Sequence, residues 1–310
     1  MSATRQTILV TGATGKQGGA LIDNLLASPR ASQFDIVAVT RDTRSPSDQK
    51  LSVLPNVKVI SGDLANPDAI FEAAGPGPVW GVYSVQVNSD AEESQGKALV
   101  DAAVLHGVRH FVYSSGDRGG PERSETNPTN VKNFAAKHNV EKHLRRRTEK
   151  KSPPHQGQGM MTMTYKILRP VTFFENLSGD MHGRGFARMW EQLGPKKLQL
   201  VATRDIGWFA AQSFLDPEEY RNKAVTLVGD ELTQPEAEAV FKKVVGTSMP
   251  MSPCPIASAV KMVLKDTVGD MFKWFKAEGY GGDLEACRRA HPEMQDFGGW
   301  LEDNKGRWAH

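Results

Sequence analysis

The residues Ile8-Leu9-Val10-Thr11-Gly12-Ala13-Thr14-Gly15-Lys16-Gln17-Gly18 space three glycines so that a short apolar strand turns tightly into a helix. In such a turn Gly12 permits the tight reversal, Gly15 lets the backbone approach a pyrophosphate, and Gly18 lets the helix pack closely on the strand. Phosphates then lie at the positive end of the helix. The alternative is a tight turn that holds no ligand. Its place after a strand, before a helix, and at the right distance from a second strand favours the dinucleotide reading. Thr11, Gly12, Thr14, Gly15, Lys16, Gln17 and Gly18 are therefore expected to bind the cofactor.

The end of the second strand selects between NAD and NADP. An acidic residue there holds a ribose 2′-hydroxyl, whereas an arginine suits the 2′-phosphate. This strand ends Thr40-Arg41-Asp42-Thr43-Arg44. Arg41 occupies the selecting position and Arg44 is placed to assist, because a guanidinium fork matches phosphate oxygens. Asp42 should point away from Arg41 in extended chain. The competing reading is that Arg41 is only a solvated surface charge; the expected cofactor is NADP(H). Asp63 and Leu64 close the third strand, at the adenine edge, although Asp63 could equally cap the helix that follows. Val85, Gln86 and Val87 close the fourth, beside the cofactor ribose.

Other chemistry-bearing groups point to less. His138, His143 and His155 lie among basic residues, without the carboxylate or cysteine company of a metal site, so no metal is expected. Arg145-Arg146-Arg147 with Lys150-Lys151 is read as a solvated helix end, since cations complement the helix dipole there, in preference to direct nucleic-acid binding. Asp205-Ile206-Gly207 reads as the cap at a helix start. Glu175-Asn176 is assigned to organising a turn. The two cysteines, Cys254 and Cys287, exclude a disulfide framework and fit a reducing cytosol or nucleus. Nothing near Cys254 marks it as a redox switch.

The elements that must position the glycine turn come next. The chain has 310 residues, 39% hydrophobic and 24% charged, with a net charge of +2, the balance of an ordinary globular protein. That charge is too small to imply a nucleic-acid or membrane partner through bulk electrostatics. No signal peptide is evident, and no apolar run approaches the ~20 residues of a membrane-spanning helix. A soluble, cytoplasmic protein is expected, with the nucleus also compatible. Strands over Thr7–Val10, Asp35–Thr40, Val57–Ile60, Val79–Val87, His110–Ser114 and Tyr165–Arg169 alternate with helices over Gly18–Ala27, Asn66–Ala74, Ala91–His106 and Val131–Arg147. Gly116–Asn130 and Lys151–Gly159 read as loops, and Ala224–Val228 as a late seventh strand. This alternation predicts an α/β fold: a Rossmann doubly wound parallel sheet. Ala237–Val245, Pro255–Lys265 and Gly269–Ala277 read as helices of a smaller, mainly helical C-terminal lobe. The expected division is residues 1–170 with 205–229 for the Rossmann domain, and 171–204 with 230–310 for the lobe.

Together Val10–Gly19, Val39-Thr40-Arg41, Val112-Tyr113-Ser114-Ser115 and Leu168-Arg169-Pro170-Val171-Thr172-Phe173-Phe174-Glu175-Asn176 resemble the NmrA-like family of atypical short-chain dehydrogenases. The resemblance covers most of the chain, including the Gly279–Leu301 tail, and Gln17-Gly18 is its more specific part. It implies NADP lying between a Rossmann domain and a small lobe, with Lys137 on the nicotinamide ribose hydroxyls and Pro170, Val171 and Phe173 flanking the nicotinamide. Lys137 could instead be an exposed helix lysine.

Typical short-chain dehydrogenases carry Ser, Tyr and Lys, the tyrosine four residues before the lysine so that the ammonium can lower the phenol's pKa. Here the lysine position is Lys137, the serine position Ser114, and the tyrosine position holds Asn133, whose amide cannot deliver a proton. Ser114 either holds a substrate oxygen or satisfies a strand-end backbone group. Phe174, Trp190 and Trp208 are candidate pocket walls, against plain core. Two functions follow from the resemblance: reduction of a small apolar enone, quinone or similar intermediate, or a non-catalytic NADP(H) sensor acting through a regulatory protein partner. The sequence carries no signal of oligomeric state.

Overall fold

The computed structural model describes residues 5–149, 162–253 and 269–308. The expected Lys151–Gly159 loop and Pro255–Lys265 helix lie outside the described residues, as do His155, Lys150, Lys151 and Cys254.

Among the described residues ten short strands occur in chain order: β1 (Gln6–Val10), β2 (Phe34–Thr40), β3 (Val57–Ser61), β4 (Val79–Ser84), β5 (His110–Ser114), β6 (Thr164–Pro170), β7 (Thr172–Phe173), β8 (Leu198–Val201), β9 (Lys223–Leu227) and β10 (Asp230–Leu232). Seven of them form one sheet in the order β3-β2-β1-β4-β5-β6-β9. Every neighbouring pair from β3 to β6 is parallel, with Val10 beside both Ala38 and Tyr83. The edge strand β9 runs the same way: Asn222 N donates to Tyr165 O, and Val171 N to Leu227 O. The central strands are apolar runs because both faces of such a sheet are covered. Ile8, Leu9 and Val10 are all fully buried.

The order reverses between β1 and β4, so consecutive crossovers leave on opposite sides there. A crevice outside the carboxyl ends of the strands at such a switch point is where doubly wound sheets take ligands. The glycine turn, the end of β4 and the end of β5 all lie at that edge.

Several elements differ from expectation. β4 stops at Ser84, leaving Val85, Gln86 and Val87 beyond the strand. A helix over Pro46–Ser52 forms because Ser45 caps it and Pro46 suits its first turn. Another helix, Pro121–Thr126, interrupts the stretch read as loop; Gly120, at φ +94°, reverses the chain into Pro121. The helix Thr203–Leu215 begins two residues before Asp205, so Asp205 is not its cap. Fully buried, it accepts instead from the Gln295 backbone N–H at 2.9 Å.

The chain divides into two compact units, Met1–Ser115 with Ala136–Leu168 and Ile206–Val225, and Gly116–Ala135 with Arg169–Asp205 and Thr226–His310. Each has its own apolar core. The first gathers Leu9, Val37, Val82, Leu99, Phe111 and Ile167 under the sheet. The second is aromatic, with Phe174, Trp190, Phe241, Trp274, Phe297 and Trp300. It also carries a small sheet, β10-β8-β7, absent from the helical lobe expected from sequence. Burying each such side chain contributes about 1.5–3 kcal/mol, which explains why Phe174 and Trp190 are core rather than pocket wall. Trp208 is half-buried, its ring edge against Phe209. No helix among the described residues is long and apolar enough to cross a membrane.

Candidate functional site

Gly12 adopts φ +60°, a left-handed conformation that side chains with a Cβ rarely take. The reversal is closed by the Gly15 N–H donating to the Gly12 carbonyl at 2.9 Å. A Cβ on Gly18 would lie 2.3 Å from the Gly12 carbonyl oxygen, so only glycine lets the helix start this close to the turn. The helix Lys16–Ala27 that follows has Gly15 at its N-cap, no side-chain cap, and no acid in its first turn. With no side-chain cap and no acid there, the positive end of its dipole suits an anion. Thr14, Gly15 and Lys16 are exposed along this edge.

Two hydrogen-bond networks brace the turn. The Thr11 hydroxyl accepts from the Val85 N–H at 2.9 Å and faces the carbonyls of Tyr83 and Val85 at 3.2 and 3.1 Å. This ties the first glycine to the chain leaving β4. Gln17 reaches across the sheet edge: its Oε1 accepts from the Ser114 hydroxyl at 2.6 Å and from the Tyr83 hydroxyl at 3.4 Å. Burial pushes the Tyr83 phenol up from its ordinary value, so it stays protonated and a donor. Ser114 is thereby tied to Gln17. Its one hydrogen is given to Gln17, and what it has left to offer is lone pairs.

Arg41 is exposed at the end of β2, and among the described residues no carboxylate pairs with it. Asp42 is engaged by Arg44 instead, whose backbone N–H and Nε donate at 3.0 and 3.1 Å. Those two contacts hold the Asp42 carboxyl below the usual carboxylate range. Arg44 thus neutralises the acid next to Arg41. Asp63 forms a local turn, accepting from the Ala65 N–H at 2.9 Å, and does not cap the helix Pro67–Ala74, whose N-cap is Asn66. Leu64 packs on the first core. Gln86 is buried and donates to the Ser84 hydroxyl at 2.9 Å.

Lys137, on the helix Lys132–Glu149, is mostly buried and forms an ion pair with Glu92, the first residue of the helix Glu92–Leu105. It is not the exposed helix lysine of the competing reading. Burial pushes the Glu92 carboxyl up while Lys137 draws it down. Asn133 stands one turn before Lys137 on the same helix, half-buried. Pro170, which closes β6, and Phe173, in β7, belong to the second unit, as does Val171. In that unit Glu175 accepts from the Thr203 N–H and hydroxyl and from Trp300 Nε1, contacts distant in sequence rather than within its own turn.

Among the basic residues, His143 does have carboxylate company: Asp101 lies 2.8 Å from its Nε2 and 2.8 Å from Arg147 Nε. That cluster ties the two helices together through Asp101, with Arg147 as its ion-pair partner. Two groups at the site escaped sequence reasoning. Tyr83 read as one more apolar residue of a central strand, and Glu92 as a charge at a helix start, where acids are common.

A protein-family model described as the NmrA-like family matches residues 4–300. An NmrA-like family domain-containing oxidoreductase of Aspergillus hancockii is 28% identical over 271 residues, covering 82% of this chain and 76% of its own. The structure of an NADPH-dependent quinone oxidoreductase of Escherichia coli, complexed with NADPH, superposes with a TM-score of 0.71 at 21% identity, over 96% of this chain and 99% of that one. NmrA, a negative transcriptional regulator, gives 0.70 at 18% identity, over 97% and 95%. At these identities the two structural likenesses show the fold.

Proposed function

The chain belongs to the NmrA-like family, and from that premise we propose that it binds NADP(H) at the glycine turn and reduces a small apolar enone, quinone or secondary-metabolite intermediate. The observation that carries the cofactor reading is Arg41, a guanidinium at the end of β2 with its one acidic neighbour already held by Arg44. A dinucleotide whose pyrophosphate rests on the uncapped helix behind Gly12, Gly15 and Gly18 places its adenosine ribose toward that strand end. The 2′-phosphate is then the group that an unpaired arginine favours over a hydroxyl. NADPH in the quinone oxidoreductase of Escherichia coli and the name of the Aspergillus hancockii relative support the same reading.

Bound NADPH supplies a hydride. The chain supplies the rest: Thr11 and Gln17 fix the turn, and Lys137 directs an ammonium that Glu92 holds in place. A positive charge there lowers the energy of negative charge arising on a substrate oxygen. Asn133 can donate a hydrogen bond but not a proton, so protonation falls to water. Enones and quinones suit such a site, because the anion left after hydride addition is delocalised and needs no strong acid beside it.

Single-turnover absorbance of NADPH with a panel of quinones and enones tests this. Substrate-dependent oxidation that Lys137→Ala suppresses even at saturating NADPH is the expected result. The second reading, an NADP(H) sensor acting on a protein partner, is favoured by Asn133 in place of a tyrosine. Tight NADPH binding with no oxidation across the panel selects it. A sensor must bind the two redox states or the two dinucleotides with different affinity.

A further inference from the structure

We infer that Glu92 is a positioning residue: it holds the Lys137 ammonium ready for the cofactor's nicotinamide ribose and thereby sets how tightly the dinucleotide binds. This rests on the NADP(H) reading above, with Lys137 on the nicotinamide ribose hydroxyls as the family resemblance implies.

The pair is built by two helices packed side by side within the first unit. Glu92 meets Lys137, Glu93 accepts from Asn139 Nδ2 at 2.9 Å, and Asp101 meets His143 and Arg147 at 2.8 Å each. The partners advance together along both chains, so the helices run parallel. Between these contacts Gly96 sets the spacing: a Cβ there would lie 2.7 Å from Val140 Cγ2. Glu92 lies four residues before Gly96 and Lys137 three before Val140, so each is one turn above the close contact on the facing side. The approach that Gly96 allows is what brings carboxylate and ammonium together.

Stability does not account for a carboxylate at this place. Glu92 is 1% exposed, and its Oε2 has no hydrogen-bond partner among the described residues. A buried carboxylate with one oxygen unsatisfied is a costly group, and an ion pair there often gains nothing over neutral residues of the same size. Its position at the first turn of its own helix offsets part of that cost.

What the carboxylate does supply is order. A lysine side chain is long and rich in rotamers, and ordering it at the moment of binding subtracts from affinity. With one N–H fixed on Glu92, the remaining N–H groups have a defined direction before ligand arrives. The ligand class that matches them is a vicinal diol, two neutral oxygens that accept. On this account the affinity effect of Glu92 is exerted through Lys137 and vanishes when Lys137 is removed.

The test is a double-mutant cycle on NADPH affinity, measured by fluorescence titration of the full-length chain, with thermal unfolding of each variant alongside. Glu92→Gln is expected to weaken NADPH about tenfold in the presence of Lys137, and by less than about twofold in the Lys137→Met background. Glu92→Asp, which keeps the charge on a shorter arm, is expected to fall between wild type and Glu92→Gln, and it replaces Glu92→Gln in the cycle if the amide variant does not fold. Equal weakening in both backgrounds, or none with Lys137 present, overturns the role of Glu92. A wild-type chain that fails to bind NADPH refutes the cofactor reading itself, and that is seen before any variant is compared.

Discussion

Two adjacent glycines at the start of the helix Lys16–Ala27 offer a matched experiment. A Cβ on Gly18 would fall 2.3 Å from the Gly12 carbonyl oxygen, 2.7 Å from the Gly12 carbonyl carbon and 3.0 Å from Ala13 Cα. All three are backbone atoms, so no rotamer change relieves the contact, and the turn must open by roughly 1 Å to restore ordinary separations. Overpacking of this kind costs about 1–3 kcal/mol. A Cβ on Gly19 meets only the Ala13 carbonyl oxygen, at 3.5 Å, an ordinary contact. Both substitutions to alanine gain up to about 1 kcal/mol of helix propensity. Gly19→Ala should therefore be neutral or stabilising, while Gly18→Ala, which carries the same propensity gain, should be less stable than Gly19→Ala by the overpacking cost, about 2 kcal/mol at mid-range. At about 2–4 °C per kcal/mol for domains somewhat smaller than this chain, the two melting temperatures should differ by roughly 4–8 °C. The same 1 Å displacement moves the carbonyl that accepts from Gly15, so Gly18→Ala should also weaken NADPH tenfold or more, a loss of about 1.4 kcal/mol, and Gly19→Ala should leave it unchanged. Differential scanning fluorimetry with and without NADPH reads both quantities. Equal melting temperatures for the two variants would refute the claim that close approach, rather than glycine's flexibility, is what Gly18 provides.

Two further outcomes follow from the same physics. Arg41→Glu should weaken NADP+ about 10- to 100-fold, the worth of one or more charge-assisted hydrogen bonds at about 1.5–3 kcal/mol each. It should leave NAD+ within a few-fold, and equal loss of both by calorimetry would sink the assignment of Arg41. His110, buried with Nδ1 2.8 Å from the Thr164 hydroxyl, has its imidazole lowered to about 4, first by burial and then by the nearby Lys166 charge. The unfolded chain takes up this proton below about 6.5 while the native chain resists until about 4. Stability is thus fully present above that window and falls on acidification through it, by up to about 3 kcal/mol. His110→Gln should flatten this limb in denaturant titrations between neutral pH and pH 4; an unchanged limb would assign it to other groups.

Much of the fold is legible because local chemistry and tertiary demand agree there. β-branched runs such as Ile36-Val37-Ala38-Val39 have one comfortable state, and the Gly12–Gly18 spacing encodes its turn locally. What was hidden depends on distant partners. The helix Pro121–Thr126 looks like loop because its Gly and Pro residues serve its start rather than break it. Asp117 is an unremarked acid in sequence, yet it is fully buried, accepting from the Gly119 and Gly120 amides, the Thr226 hydroxyl and the Gly281 N–H, the last two more than a hundred residues away. Glu92 and Lys137 lie 45 residues apart, and no local rule joins them. Ser114 was placed correctly at a strand end, but its partner, Gln17, comes from the opposite side of the switch point.

Isothermal titration of NADPH and of NADH into the full-length wild-type chain tests the central claim most directly. The account predicts saturable binding with one dinucleotide per chain, and NADPH bound tighter by about tenfold or more, since Arg41 contacts the one group that distinguishes them. Failure of NADPH to bind, or a preference for NADH, would contradict it.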